Sequence, residues 1–205
     1  MTARKKTVLG ILVVGLVTLT AGGMMAGRNS KQLRAGDTFP VTSLRNIHGA
    51  GVAIPDTKAR WVHLQFRRFA GCPICNLHLH SFVTRNTEIQ AAGIREVVVF
   101  HSPDASLLPY QGNFPFDVIG DPEKKLYTQF GVESSVFSIL NPGAWPAMAK
   151  GNSLKDRPKG DPEGGAFGLP ADILIGSDGK VVASHYGRHA YDQWSVDDVL
   201  ALARK

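Results

Sequence analysis

The feature that most constrains this chain is its cysteine pair: Cys72 and Cys75 are the only two cysteines in 205 residues, and they stand three positions apart. A bridge between them closes so short a loop that it removes almost no entropy from the unfolded chain. It therefore cannot staple a small cysteine-rich fold. The fold must rest on an ordinary core, which a 43% apolar chain of this length can supply. The two thiols then call for a chemical explanation.

Their surroundings suggest one. Val62, Leu64 and Phe66 alternate with His63, Gln65 and Arg67, which predicts a strand over 61–67. Pro73 occupies a first-turn helical position, and Cys75, Leu79, Phe82 and Ile89 form a one-face stripe that ends at Gly93, interrupted by polar Asn86. A Cys72 thiolate at the start of that helix faces unpaired N–H groups and the positive end of the macrodipole, which lowers its pKa. Cys75, one turn along, begins the buried stripe. The arrangement suits an exposed attacking sulfur at Cys72 and a shielded resolving sulfur at Cys75. A mixed disulfide or sulfenic acid would be cleared by closing the bridge. A structural zinc site needs two more ligands, and His78 and His80 diverge by about 200° on a helix. A soft-metal protein that holds copper through the thiolates and one histidine is the alternative from another class; the redox reading needs no cofactor.

Charge separates into two parts. Lys and Arg total 23 against 17 Asp and Glu, but residues 1–27 hold Arg4, Lys5, Lys6 and no acid, leaving 20 basic against 17 acidic beyond them. That balance is too mild for a nucleic-acid footprint. Residues 7–27 are uncharged and about as long as the roughly 20 residues that span a bilayer core. With the basic cluster in front, they read as a membrane anchor or a signal peptide that carries the domain across. The expected location is extracytoplasmic, on the periplasmic or extracellular side of the membrane or secreted, where thiols are not automatically kept reduced.

Residues 28–37 read as a tether and 38–205 as one domain. A weak strand pair falls at 41–44 and 51–54, and the unbroken apolar run 97–100 suits a central strand. A short strand at 116–119 precedes Asp121-Pro122, an N-cap and N1 pair opening a helix to about Phe130. Residues 132–170 carry five prolines and six glycines and read as an insertion, with a helical turn near 145–150 and Trp145 in a small satellite core. A hairpin follows over 171–186, and Ser195 caps a last helix. The path is β-α-β-α, insertion, β-β-α: a mixed central sheet flanked by helices, with a right-handed parallel crossover. An antiparallel hairpin would bring Gly168, Leu169 and Pro170, and also Gly187, Arg188 and His189, beside the dithiol. Pro170 would be a cis proline whose neighbouring backbone could pair with a substrate chain. Arg188 would stabilise the thiolate or a peroxide oxygen. Arg67 and Arg68 point to opposite faces, so only one can serve Cys72; Arg67 is the nominee.

The segments FRRFAGCPIC, FPFDVIGDPEKKLYTQFGV and GLPADILIGSDGKVVASHYGRHAYDQW resemble the peroxiredoxin-like (AhpC/TSA) branch of the thioredoxin superfamily that carries a CxxC. The resemblance spans about residues 35–204. It implies a thioredoxin-like fold, thiol redox chemistry with Cys72 attacking and Cys75 resolving, a hydroperoxide or protein disulfide as substrate, and a thiol electron donor. Pro170 would occupy the cis-proline position. The hydroxyl that peroxiredoxins place three residues before the attacking cysteine is missing: the corresponding residue here is Phe69, and the proline four residues earlier is Gln65. A Cys-Pro-x-Cys pair also resembles glutaredoxin-type dithiols.

Overall fold

A computed structural model describes residues 31–153 and 162–204. The anchor-or-signal expectation for residues 1–27 lies outside them, and among the described residues no helix is long and apolar enough to cross a membrane. Of the segment assigned to a tether, residues 32–36 lie against the domain. The Leu33 amide donates to Tyr186 Oη, the Gln32 side chain to the Gly131 carbonyl and the Gly36 amide to the Val181 carbonyl.

The chain runs β1 (Thr42–Arg45), β2 (Gly51–Ile54), β3 (Trp61–Phe66), α1 (Pro73–Thr84), α2 (Asn86–Ala91), β4 (Ile94–Phe100), α3 (Asp104–Gln111), β5 (Asp117–Gly120), α4 (Lys125–Gln129), α5 (Phe137–Leu140), a 3-10 turn (Pro142–Ala144), α6 (Trp145–Asn152), β6 (Ala171–Gly176), β7 (Val181–Tyr186) and α7 (Val196–Leu202). The first two strands form a separate antiparallel ribbon. The remaining five build a sheet in the order β5-β4-β3-β6-β7, with β5, β4 and β3 parallel and β6 antiparallel to both neighbours. This is the mixed sheet expected from the path.

Alternation along β3 divides its side chains between two environments. Val62, Leu64 and Phe66 join Val97, Val99, Ile173, Phe39 and Phe130 in one core, where each large apolar side chain contributes roughly 1.5–3 kcal/mol. On the opposite face His63, Gln65 and Arg67 are also buried, and they are paired with one another, with Glu96 and with Asp172.

Four local expectations change. The helix after Cys72 breaks at Arg85, whose backbone leaves the helical region, so Asn86 opens a second helix. Asp121 caps as expected, accepting from the Lys125 and Leu126 amides at 3.0 and 2.8 Å. The helix nevertheless starts only at Lys125, because Lys124 takes a left-handed φ of 55°. Helix α3 was not anticipated; Pro109 inside it reads as a break in sequence. Trp145 is not in a satellite core: it is 56% exposed, with its indole N–H on the Ile139 carbonyl.

Candidate active site

Strand β3 delivers the chain to the dithiol through a turn fixed at several points. The Arg67 amide bonds to the Val99 carbonyl and the His101 amide to the Arg68 carbonyl, so the parallel ladder extends past the end of β3. The Ala70 amide donates to Ser102 Oγ at 3.0 Å. Asn76 Nδ2 donates to the Ala70 and Cys72 carbonyls, each at 2.8 Å, and Gln111 Nε2 holds Asn76 Oδ1 at 2.9 Å. Cys72 is thereby placed as the N-cap of α1 with an extended backbone, and its Sγ accepts the Cys75 amide at 3.1 Å. The two cysteines are joined as a disulfide with Cα atoms 5.3 Å apart, a normal separation for one.

A second donor reaches the same sulfur: Arg68 Nη2 lies 3.1 Å from Cys72 Sγ. The Arg68 side chain is buried, which pulls its pKa down to about 10, so it keeps its charge at neutral pH. Its Nη1 donates to the Ala166 carbonyl at 2.8 Å, and the guanidinium lies 5.6 Å from the Phe69 ring centre. A guanidinium and a helix-start amide on one sulfur favour the anionic form once the bridge is reduced.

The other nominees are placed differently. Arg67 is fully buried on the opposite face, bound to Asp172 Oδ1 at 2.7 Å and Gln65 Oε1 at 2.5 Å, with His78 Nε2 at 3.2 Å. Buried Asp172 needs a cation, and Arg67 supplies it rather than serving Cys72. Arg188 has a side chain 86% exposed and pairs with Asp192 at 3.1 Å; it does not reach the dithiol. Pro170 is buried at the start of β6 with a trans peptide bond; the cis proline among the described residues is Pro55. The backbone around Pro170 is already paired, with the Leu169 amide on the Glu133 carbonyl, Gly168 bridged to Ser134, and the Gly187 amide on the Pro170 carbonyl. No open edge is left there for a substrate chain. His78 is buried, and desolvation together with the neighbouring Arg67 charge holds its pKa well below the usual histidine range. Among the described residues no three His, Cys, Asp or Glu side chains gather as a metal cluster.

Enclosure is the other departure. Cys72 is 0% and Cys75 3% exposed, so in the disulfide state neither sulfur is open to solvent. The insertion is part of the cover: Ile139, Ala144, Ala147 and Met148 belong to the same apolar cluster as both cysteines, and Gly151 lies against Pro73 at the start of α1.

His101 was not nominated from the sequence, although the parallel pairing of β3 and β4 places it beside Arg68. It is buried, with Nδ1 2.7 Å from the Glu163 carbonyl and its ring 6.3 Å from that of Phe69. Burial, Lys124 and Arg68 push its pKa down to about 4 despite the Glu163 carbonyl, so it is neutral near pH 7.

Similar folds are known. Peroxidoxin BcpB from Mycobacterium tuberculosis superposes with a TM-score of 0.62 at 18% identity, over 84% of this chain and 97% of that one. Peroxiredoxin Q from Xanthomonas campestris gives 0.56 at 17%, over 84% and 95%. The reduced 2-Cys peroxiredoxin of Plasmodium vivax gives 0.59 at 13%, over 84% and 81%. At these identities the likeness establishes the thioredoxin-type fold of peroxiredoxins. No curated protein matches the sequence. The profile of the AhpC/TSA antioxidant enzyme family matches residues 81–189, a stretch that begins just past the dithiol. With more than half of its length matched to that profile and its fold shared with peroxiredoxins, the chain belongs to the AhpC/TSA antioxidant enzyme family.

Proposed function

We propose that the protein is a thiol peroxidase that reduces small hydroperoxides through Cys72 and Cys75. The observation that carries this reading is the pair of donors on Cys72 Sγ, the Cys75 amide and the Arg68 guanidinium, each at 3.1 Å. Enclosure favours a small oxidant over a protein disulfide, because a small molecule needs a lesser opening of the cover to reach the sulfur.

In this reading the Cys72 thiolate attacks the terminal oxygen of ROOH. The S–O bond forms, the O–O bond breaks, and the departing RO⁻ takes up a proton to become ROH, leaving Cys72 as sulfenic acid. The Cys75 thiol then attacks that sulfur. The S–S bond forms, the S–O bond breaks, and hydroxide leaves with the thiol proton as water. Two equivalents of an external thiol reduce the bridge and become a disulfide themselves. The apolar run at 7–27 supports an extracytoplasmic site of action, tethered to or released from a membrane.

Stopped-flow oxidation of the reduced protein by hydrogen peroxide tests the reading. The expected result is a reaction well above that of free cysteine, lost in Cys72→Ser and ending in a trapped sulfenic acid in Cys75→Ser. A wild-type rate equal to that of free cysteine would overturn it and leave disulfide exchange as the chemistry of the pair.

A further inference from the structure

The insertion contributes to two environments. Ile139, Ala144, Ala147 and Met148 belong to the cluster that holds both cysteines. Val136, Phe137, Leu140 and Trp145 stand outside it, each more than half exposed. Trp145 lies back over α5 with its indole N–H on the Ile139 carbonyl, and the Ser135 amide donates to the carbonyl of Phe167, itself exposed. Large apolar side chains are thereby gathered on one segment, and residues 134–149, between Glu133 and Lys150, carry no charged side chain. Single exposed apolar residues are ordinary on a protein surface, but a gathered patch of them marks an interaction site.

The place where the described chain begins points to what covers this patch. A Cβ on Gly131 would lie 3.0 Å from the Gln32 amide nitrogen and 3.2 Å from the Lys31 carbonyl carbon, and the Gln32 side chain donates to the Gly131 carbonyl. From Gly131 to Val136 is at most about 18 Å of chain. The uncharged run at 7–27 ends four residues before Lys31, at most about 14 Å of chain. A domain of this length is roughly 40 Å across, so a tether ending at residue 27 brings the bilayer to the part of the domain that carries the patch. Tryptophan, phenylalanine and leucine are the side chains with which interfacial segments enter the headgroup level. A bilayer also fits better than a second copy, because the tether holds every molecule at the lipid surface whether or not another copy is near. We propose that this patch docks on the surface of the lipid bilayer, with Phe137, Leu140 and Trp145 seated at the boundary between headgroups and acyl chains. Docking takes these side chains out of water and sets the insertion that covers the dithiol against the membrane.

The proposal rests on the tethered form of the reading above, and the test separates the two. The full chain, whose tryptophans are Trp61, Trp145 and Trp194, is reconstituted in phosphatidylcholine vesicles with or without bromine on the acyl chains. Trp61 and Trp194 pack against an interior cluster and the run at 7–27 holds no tryptophan, so quenching by bromine reports Trp145. Resistance to a carbonate wash reports the tether. The expected result is a wild-type emission lowered by roughly a third, one tryptophan of three. Trp145→Phe should abolish that loss and Phe137→Asp should cut it several-fold, with both variants retained in the washed vesicles; the two residues are exposed, so neither change burdens the core. Wild type retained without quenching, or quenching undiminished in Phe137→Asp, would overturn the docking and leave the tether standing. Retention without quenching, together with dimers in detergent that Phe137→Asp dissociates, would assign the patch to a second copy instead. Release of the wild type by carbonate would remove the tether and the docking with it, without touching the peroxidase reading.

Discussion

At the residue scale, the chemistry turns on which arginine reaches Cys72. Arg68 and the Cys75 amide converge on one sulfur, whereas Arg67 is committed to Asp172 and Arg188 to Asp192 on the surface. A charge-assisted hydrogen bond is worth about 1.5–3 kcal/mol, and it is made in full only to the thiolate. Arg68→Met should therefore raise the Cys72 thiol pKa by about one to two units. The check is the pH profile of alkylation in the reduced protein. Arg188→Ala should leave that profile where it was, and an unmoved profile in Arg68→Met would mean that the contact in the oxidised form is lost on reduction. Arg67→Met should act elsewhere: it takes the guanidinium from the buried Asp172 carboxylate and leaves it only the His63 ring and the Trp194 amide, at a cost of up to about 3–5 kcal/mol in stability, seen as a lower denaturation midpoint.

At the element scale, α1 and α6 govern access. The start of α1 holds the dithiol, and α6 crosses it closely enough that a Cβ on Gly151 would stand 2.6 Å from the Pro73 carbonyl carbon and 3.0 Å from Pro73 Cβ. Gly151→Ala must push the two helices apart, a strain of about 1–3 kcal/mol borne only while the insertion is closed over the sulfurs. Its population of opened molecules should rise about tenfold, and dithiothreitol should reduce the Cys72–Cys75 bridge correspondingly faster. An unchanged reduction rate would show that the insertion does not control access. This cover was not legible in the sequence, because its buried members are small, Ala144, Ala147 and Gly151, while the larger Ile139 and Met148 are only partly buried and form no periodic apolar stripe. The strands were legible because alternation and unbroken apolar runs report directly on burial, and so was the placement of Cys72 at a helix start, from Pro73. The choice of arginine was not. Alternation correctly put Arg67 and Arg68 on opposite faces, but which one meets the sulfur depends on Asp172, more than one hundred residues away, claiming Arg67. His101 was within reach of the argument, since the parallel register of Phe66 with Val99 sets it next to Arg68. The trans bond before Pro170 stands next to the pairing of residues 168–169 with 133–134 inside the insertion, and local sequence carries no signal of either.

At the scale of the whole molecule, the buried histidines tie stability to pH in opposite directions. His63 lies between Glu96, 2.8 Å from Nδ1, and Asp172, 3.3 Å from Nε2. Burial opposes its protonation, but the two carboxylates outweigh burial and raise its pKa to about 9. The stability it contributes is complete below its unfolded value of 6.5 and is lost as pH rises from there through about 9. His78 and His101 behave the other way. Both are held neutral in the fold, so below pH 6.5 the unfolded chain takes up protons that the folded one does not, and stability falls toward acid. Asp172, depressed by Arg67 and His63 against the effect of burial, extends the loss below its unfolded value of 3.8. With the disulfide kept intact, the urea midpoint should therefore peak near pH 6.5 and decline on both sides, the alkaline limb amounting to a loss on the order of 2 kcal/mol by pH 9. Replacing His63 by Gln keeps a hydrogen-bonding side chain in the core but removes the titration, so it should flatten the alkaline limb and leave the acid limb in place. A midpoint that keeps rising between pH 6.5 and 9 in the wild type would show that the carboxylates do not hold a proton on His63, and that the polar face of the sheet is bound together by hydrogen bonds without that charge.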